Sequence, residues 1–245
     1  MAAKIEVRGV GKSYTRDDGT LRVIDDVSFT VADGEFLAMV GPSGCGKTTL
    51  LHIMAGLARA DGGTVAIDGV PVTAPSPKRI LISQQGSVFP WLTVRGNIMF
   101  GLTGDHDAKA AVADRYAALV GLQGFERSMP HELSGGMLRR VEIARALAVR
   151  PEILYMDEPL AALDALTSLQ MRFELLRILA EERHTCVLIT HDVEEAIHLA
   201  DRVMVLSPRP AAIQATFEIG LPRPRGLASP EAARLKGAIL RELGL

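Results

Sequence analysis

The chain has 245 residues and carries 27 Lys and Arg against 29 Asp and Glu; the resulting net charge of −2 argues against nucleic acid or an anionic membrane surface as principal partner. Hydrophobic residues make up 48%, enough for a substantial core, yet no apolar run reaches bilayer-spanning length and Met1 to Glu6 hold no signal-peptide core, so a cytosolic protein is expected. Cys45 and Cys186 lack metal-ligand or C-x-x-C spacing, which excludes a disulfide scaffold and suits a reducing compartment.

Ile5 to Val10 and Val23 to Val31 alternate apolar and polar positions around the turn-prone Asp17-Asp18-Gly19, predicting antiparallel strands. Glu35 to Val40 is an apolar run of buried-strand length, and Thr49 to Leu57 has helical spacing. Between them, Gly41-Pro42-Ser43-Gly44-Cys45-Gly46-Lys47-Thr48-Thr49 fits G-x-x-x-x-G-K-[ST]. This context makes it a phosphate cradle. Gly41, Gly44 and Gly46 free the backbone so that successive N–H groups converge on phosphate oxygens. Lys47 is placed to reach the β- and γ-phosphates of ATP, and Thr48 to give its hydroxyl to Mg²⁺ at a helix N-terminus. Tyr14, just ahead of the cradle, either stacks on the adenine ring or packs as an ordinary strand-end aromatic. Cys45 lies inside the loop, where alkylation would block nucleotide unless the thiol is an inert filler.

Gly62 to Gly69 reads as a strand and turn, and Ile80 to Ser83 as a buried strand ending at Gln84. From about Val88 to Val149 the spacing is mainly helical, clearest over Ala108 to Leu122 and Leu138 to Val149, which predicts a helical insertion in an α/β core. Leu133-Ser134-Gly135-Gly136-Met137 opens the second of these helices. It is either a plain serine cap or a second anion site. One chain seldom needs two such sites for one nucleotide. Two chains packed about a two-fold axis would set each phosphate loop against the other's Ser134-Gly135-Gly136 and bury two ATP molecules.

Ile153 to Glu158 has a buried-strand pattern ending in two carboxylates, where an open α/β sheet presents residues to its ligand. Asp157 is suited to hold Mg²⁺ through water, and Glu158 to deprotonate the water attacking the γ-phosphate, a role that typically contributes ~10²–10⁴-fold in rate. Gln84 can offer its amide oxygen to Mg²⁺ or to that water. Leu166, Leu169, Phe173 and Leu176 share one face of a helix running to about Glu182. Cys186 to Thr190 is the next strand, followed by His191, which can bond the γ-phosphate and keep Glu158 and the water in line. Val203 to Leu206 is a further strand, and four prolines from Pro208 to Pro224 punctuate a tail of short extended pieces. Ser229-Pro230-Glu231 caps a last helix with Leu235, Ile239 and Leu243 on one face.

In this order and spacing the residues resemble the ATP-binding subunits of ABC transporters, over essentially the whole chain. Gly41 to Thr48 resembles Walker A, Gln84 the Q-loop glutamine, Leu133 to Met137 the signature, and Ile153 to Glu158 Walker B with its catalytic glutamate. Ala162-Leu163-Asp164 resembles the D-loop, His191 the switch histidine, and Tyr14 the adenine-stacking aromatic. The resemblance implies one α/β P-loop NTPase domain over 1–245, with an antiparallel β subdomain, a helical subdomain over about 88–149 and a tail over about 208–245. Asp164 joins the nucleotide site by the same resemblance.

Phe89-Pro90-Trp91-Leu92-Thr93-Val94, Ser134 to Met137, Ser207-Pro208-Arg209-Pro210 and Leu221-Pro222-Arg223-Pro224-Arg225 are similar to the nitrate, sulfonate and taurine importer branch. That implies a homodimer, or a pair of different ATPase subunits, at the cytoplasmic face of the inner membrane. Above it would sit a pair of integral-membrane permease subunits fed by an extracytoplasmic substrate-binding protein, with Phe89 and Trp91 either contacting the permease or packing within the chain. The transported molecule stays open. Leu138-Arg139 stands where this branch commonly has arginine and glutamine, Glu142 where a small residue is usual, and Gln85-Gly86-Ser87 replaces an acidic, proline-containing run. Arg139 is therefore expected to add charge near the dimer seam. Two other functions compete: a regulatory or nucleic-acid-associated ABC-type ATPase, and an assembly protein that binds ATP but barely hydrolyses it. Fused ATPase halves, a long coiled-coil insertion or a basic face would favour the former, and loss of Glu158 or His191 the latter.

Overall fold

Alternation along the central strands decides the architecture, because Leu37 and Met39 of β3 (Phe36–Val40) face one apolar core while Phe36, Ala38 and Val40 face another. The computed structural model describes residues 3–17, 19–161, 163–182, 184–223, 225–226 and 229–245. Asp18 of the expected turn, Ala162 of the D-loop and Pro224 of the tail lie outside the described residues.

Strands β1 (Ala3–Arg16) and β2 (Gly19–Ala32) pair antiparallel, and with β4 (Gly62–Ile67) and β5 (Val70–Pro71) form a four-stranded sheet in the order β2-β1-β4-β5. The second sheet has six strands in the order β10-β9-β3-β8-β7-β6. Its members are β6 (Arg79–Ile82), β7 (Ile153–Asp157), β8 (Thr185–Ile189), β9 (Arg202–Leu206) and β10 (Ile213–Glu218), with β3 at the centre. β9, β3, β8, β7 and β6 run parallel, and β10 alone returns antiparallel. One face packs with the first sheet around α1 (Lys47–Ala55), burying Leu50, Leu51 and Met54 against Tyr155 and Val187. The other face carries the remaining helices.

The helical insertion contains α2 (Val94–Met99), α3 (His106–Leu119), a 3₁₀ turn over Pro130–Glu132 and α4 (Gly135–Ala148). Thr93, Asp105 and Ser134 cap these three helices through their side-chain oxygens. After β7 come α5 (Ala165–Glu181), α6 (Val193–Leu199) and, at the end, α7 (Pro230–Glu242) capped by Ser229. No helix among the described residues is long and apolar enough to cross a membrane.

Three expectations change. The Ile80 to Ser83 strand is not buried but forms the edge of the six-stranded sheet, with only Ile82 fully covered. The tail is more than extended pieces. β10 completes the sheet, and the guanidinium of Arg225 donates to the carbonyls of Ile197 and Leu221 at 2.8 and 3.1 Å; the expected last helix forms as α7, with Ile239 buried and Leu235 and Leu243 packed beside it. On α5 the apolar face named from spacing holds only in part: Leu176 packs against the core, but Leu166, Leu169 and Phe173 are exposed, while Met171, Leu175 and Ile178 are buried in it. The helix has apolar residues on two adjoining faces, and periodicity alone does not choose between them.

Truncation separates the two faces. Leu175→Ala is expected to cost about 2–5 kcal/mol in denaturant unfolding, and Leu166→Ala at most about 0.5 kcal/mol. Equal losses would contradict this orientation of α5.

Candidate active site

The loop between β3 and α1 wraps tightly because three of its residues lack side chains where conformation or space excludes one. Gly46 has φ +128°, and a Cβ there would lie 2.9 Å from a methyl of Val23. Gly44 has φ +71°, whereas Gly41 has no positive φ and is required instead by close approach, 3.0 Å from the Leu206 carbonyl. Lys47 is buried, and its ammonium donates to the carbonyls of Gly41 and Pro42 at 2.7 and 2.9 Å. It therefore sits inside the mouth of the loop rather than in solvent.

A cleft of about 630 Å³ opens over the loop. Ser43, Gly44, Gly46, Lys47, Thr48 and Thr49 form its floor. Tyr14, 43% exposed, stands at its rim with Gln84 and Glu158 opposite. The Lys12 ammonium lies 5.3 Å from the Tyr14 ring centroid. The Cys45 thiol turns away from the cleft and is only 2% exposed, so its predicted role narrows to the backbone, and an alkylating reagent meets a covered sulfur.

The Thr48 hydroxyl donates to Asp157 at 2.8 Å across the sheet. Burial pushes the Asp157 carboxyl above its usual range, with the Thr48 hydrogen bond opposing the shift. Two hard oxygen donors held together beside a phosphate cradle fit Mg²⁺, which takes its remaining ligands from phosphate and water. Glu158 follows with φ +47°, its N–H bonded to Ile189 at 2.9 Å. Its carboxylate meets Gln84 Nε2 on one oxygen and His191 Nδ1 on the other, both at 3.3 Å. A second cavity, about 620 Å³, adjoins the first, sharing Glu158 and adding His191 and Leu163. His191 is held between anchored neighbours: Thr190 Oγ1 bonds Glu195 and accepts from Asp192 N at 3.0 Å, and Asp192 pairs with Arg172 at 2.5 Å.

The chain thus gathers Tyr14, the phosphate loop, Gln84, Glu158 and His191 around the two cavities, with Asp157 joined to them through Thr48. Ser134, Gly135 and Gly136 line neither cavity; the Ser134 hydroxyl caps α4 by accepting from Met137 N at 3.2 Å. Asp164 is likewise outside both, exposed and committed as the cap of α5, where the Thr167 hydrogen bonds hold its carboxyl below the usual range. Arg139, expected to add charge near a dimer seam, instead has its charge neutralised within the chain: it is 5% exposed and ion-paired to Glu142 at 2.7 Å.

Two residues of the site region escape sequence reasoning. Arg209 lines the nucleotide cleft and donates through Nε to the Gly44 carbonyl at 3.0 Å, bracing the phosphate loop from a segment 165 residues away. Asn97, fully buried, knots the aromatic loop, its amide nitrogen facing the carbonyls of Phe89, Leu92 and Thr93 at 3.1, 3.0 and 3.0 Å. The quoted Ser207 to Pro210 run contained the first signal; a lone asparagine at a helix start carried none for the second.

Comparison with known proteins identifies the family. The family model "ABC transporter" matches residues 24–161. An ATP-binding protein of Brucella abortus is 45% identical over 98% of this chain and 93% of its own length. The aliphatic sulfonates import ATP-binding protein SsuB of Bacillus cereus is 40% identical over 97% of this chain and 95% of its own. Among solved structures, the dimeric structure of MJ0796, a bacterial ABC transporter cassette, superposes with a TM-score of 0.80 at 27% identity, covering 91% of this chain and 99% of that one.

Asp157→Asn tests the buried carboxylate. Because burial raises its folded pKa, ionisation at neutral pH opposes folding, and that cost fades as pH falls toward the unfolded value of about 3.9. The variant should melt above wild type at pH 7 in nucleotide-free buffer, the difference narrowing toward pH 4, and should lose Mg²⁺-dependent hydrolysis.

Proposed function

The chain belongs to the ABC transporter family as an ATP-binding, ATP-hydrolysing motor subunit, and on that basis we propose that two copies drive import of a small anionic solute of the sulfonate class through a separate permease. The observation that carries the chemical part is the convergence at the end of β7, where Thr48 meets Asp157 at 2.8 Å and Glu158 is held by Gln84 and His191 at 3.3 Å. The likeness to the SsuB importer ATPase over 97% of this chain supports the transport class.

In this reading Tyr14 stacks on adenine, while Lys47 and the backbone N–H groups of Ser43 to Thr49 hold the phosphates. Thr48 and Asp157 would hold Mg²⁺, with Gln84 adjoining, and the bound ion would supply positive charge to the transferring phosphoryl group. Glu158 takes the proton of the attacking water, and His191, on its other carboxylate oxygen, orients it toward the γ-phosphate. Ser134-Gly135-Gly136 and Asp164 serve the partner copy's nucleotide, in line with their position outside this chain's own cavities and with the dimeric cassette to which the chain is similar. ATP then stabilises the closed homodimer and hydrolysis weakens it.

The permease would enter the apolar groove of about 300 Å³ between the sheet edge and α4, walled by Ile80, Phe89, Phe100 and Val149. Phe89 packs on Trp91 and Phe100 at centroid distances of 5.5 and 4.4 Å, yet Trp91 and Phe100 stay 69% and 64% exposed. Phe89 thus packs within the chain, and the exposed Trp91 projects from the loop. Through this contact the subunit sits peripherally on the cytoplasmic face of the inner membrane, with an extracytoplasmic binding protein supplying the solute.

Glu158→Gln should retain ATP binding, lower hydrolysis by ~10²–10⁴-fold and elute as a dimer with MgATP, while Lys47→Ala should weaken nucleotide binding. Wild-type hydrolysis by Glu158→Gln would overturn the base assignment. A tagged chain drawn from native membranes should bring a multi-span permease. Recovery of only soluble or nucleic-acid-associated partners would overturn the transport reading.

A further inference from the structure

Arg139 and Glu142 lie one turn apart on α4, and both are buried, at 5% and 4% exposure. A buried guanidinium is costly unless its N–H groups are matched. Here all five find acceptors. Nε donates to Pro159 O at 2.6 Å, and Nη1 to Ser83 O at 2.6 Å and Glu142 at 2.7 Å. Nη2 faces Glu158 O at 3.2 Å and Asp157 O at 3.4 Å. The second carboxylate oxygen of Glu142 takes the N–H of Ser87, and its side chain forms part of the wall of the aromatic groove.

One ion pair therefore joins three segments. The 157–159 turn carries Glu158 in its left-handed conformation, the 83–87 loop carries Gln84, and α4 opens with Ser134-Gly135-Gly136. Attraction alone does not explain such a pair, since desolvation cancels most of what two buried charges gain from each other. Its distinguishing property is reach: a planar fork of five donors spans carbonyls from two separate strand ends, which a shorter or single-headed side chain does not.

We propose that Arg139 and Glu142 are positioning residues that lock the Glu158 turn and the Gln84 loop to α4, and so set the aim of the general base. The proposal rests on the hydrolytic role of Glu158 argued above. Ser87, Glu142, Arg139 and the Glu158 carbonyl form one unbroken chain of hydrogen bonds, and its first two members line the groove. Displacement of the loop at one end is therefore felt as a pull on the turn at the other.

The test uses the purified full-length chain with Arg139→Gln, Glu142→Ala and the double variant, measuring ATP hydrolysis and hydrogen exchange in peptides covering 83–89 and 157–161. Each single change leaves one buried charge unpaired and threatens the fold; the double removes both charges and is expected to stay folded, with a modest loss of melting temperature because the Ser87 N–H loses its acceptor. In the folded double variant kcat should fall about 10-fold or more with KM for ATP within about three-fold. Exchange should quicken in both segments together while the β1–β2 sheet is unchanged. A folded double variant with wild-type kcat and unchanged exchange in both segments would overturn the proposal. Glu158→Gln run in parallel keeps the two ideas apart. If it hydrolyses ATP at the wild-type rate, the base assignment fails by itself and exchange alone decides the pair: joint loss of protection supports the lock, none overturns it.

Discussion

The hydrogen bond from Thr48 to Asp157 joins the helix after β3 to the end of β7, two strands that are not neighbours, and the rest of the site depends on the register that makes it possible. β8 lies between them, with Ile189 paired to Met39 on one side and to Asp157 on the other. Three parallel strands thus end at one level. From that level emerge the phosphate loop, Thr190 with His191, and Glu158, whose N–H is itself bonded to Ile189. A slip of one residue in either pairing would turn Asp157 into a core face and expose Met156 to the nucleotide cleft. The alternating apolar residues of β3, β7 and β8, buried on both faces, hold the register against such a slip.

This arrangement works against local stability in two places. Asp157 is 3% exposed and its ionised form is penalised by burial, while Glu158 occupies a left-handed conformation that costs a side-chain-bearing residue about 1–2 kcal/mol. Both costs fall at the strand end where charge and geometry must be set before ATP arrives. The core on either side of β7 supplies the compensation. Tyr155, wholly buried with its hydroxyl on the Met54 carbonyl at 3.1 Å, fixes the strand to α1 and so to the phosphate loop.

Features whose chemistry is local were legible in the sequence. The phosphate loop needs glycines and a lysine at fixed spacing within nine residues; Asp157 and Glu158 need only the end of an apolar run. Capping signals at Ser134 and Ser229 are equally local and were readable. What the sequence hid is what depends on distant partners. Whether Ile80 to Ser83 lies inside or at the edge of the sheet is set by strand order, not by its own four residues. The buried face of α5 is chosen by the helices and strands around it, since both Leu166-Leu169-Phe173 and Met171-Leu175-Ile178 have helical spacing. Arg209 reaches the phosphate loop only because Ala211 bonds back to Val23, at 2.8 Å, across most of the chain.

Arg139 shows how a departure in sequence is misread when its companion is not considered with it. Alone, an added arginine after a glycine-rich helix start suggests a surface charge, as at a subunit seam. Its neighbour one turn on, Glu142, neutralises it at 2.7 Å and makes burial possible; once buried, the guanidinium needs acceptors, and the carbonyls at the ends of β6 and β7 are the ones within reach. The third departure, Gln85-Gly86-Ser87, belongs to the same unit. A Cβ on Gly86 would approach Glu142 to 3.4 Å, and Ser87 gives the carboxylate its N–H. Three substitutions that look independent along the chain therefore form one physical device, sited between the groove that faces outward and the carboxylate that faces the nucleotide.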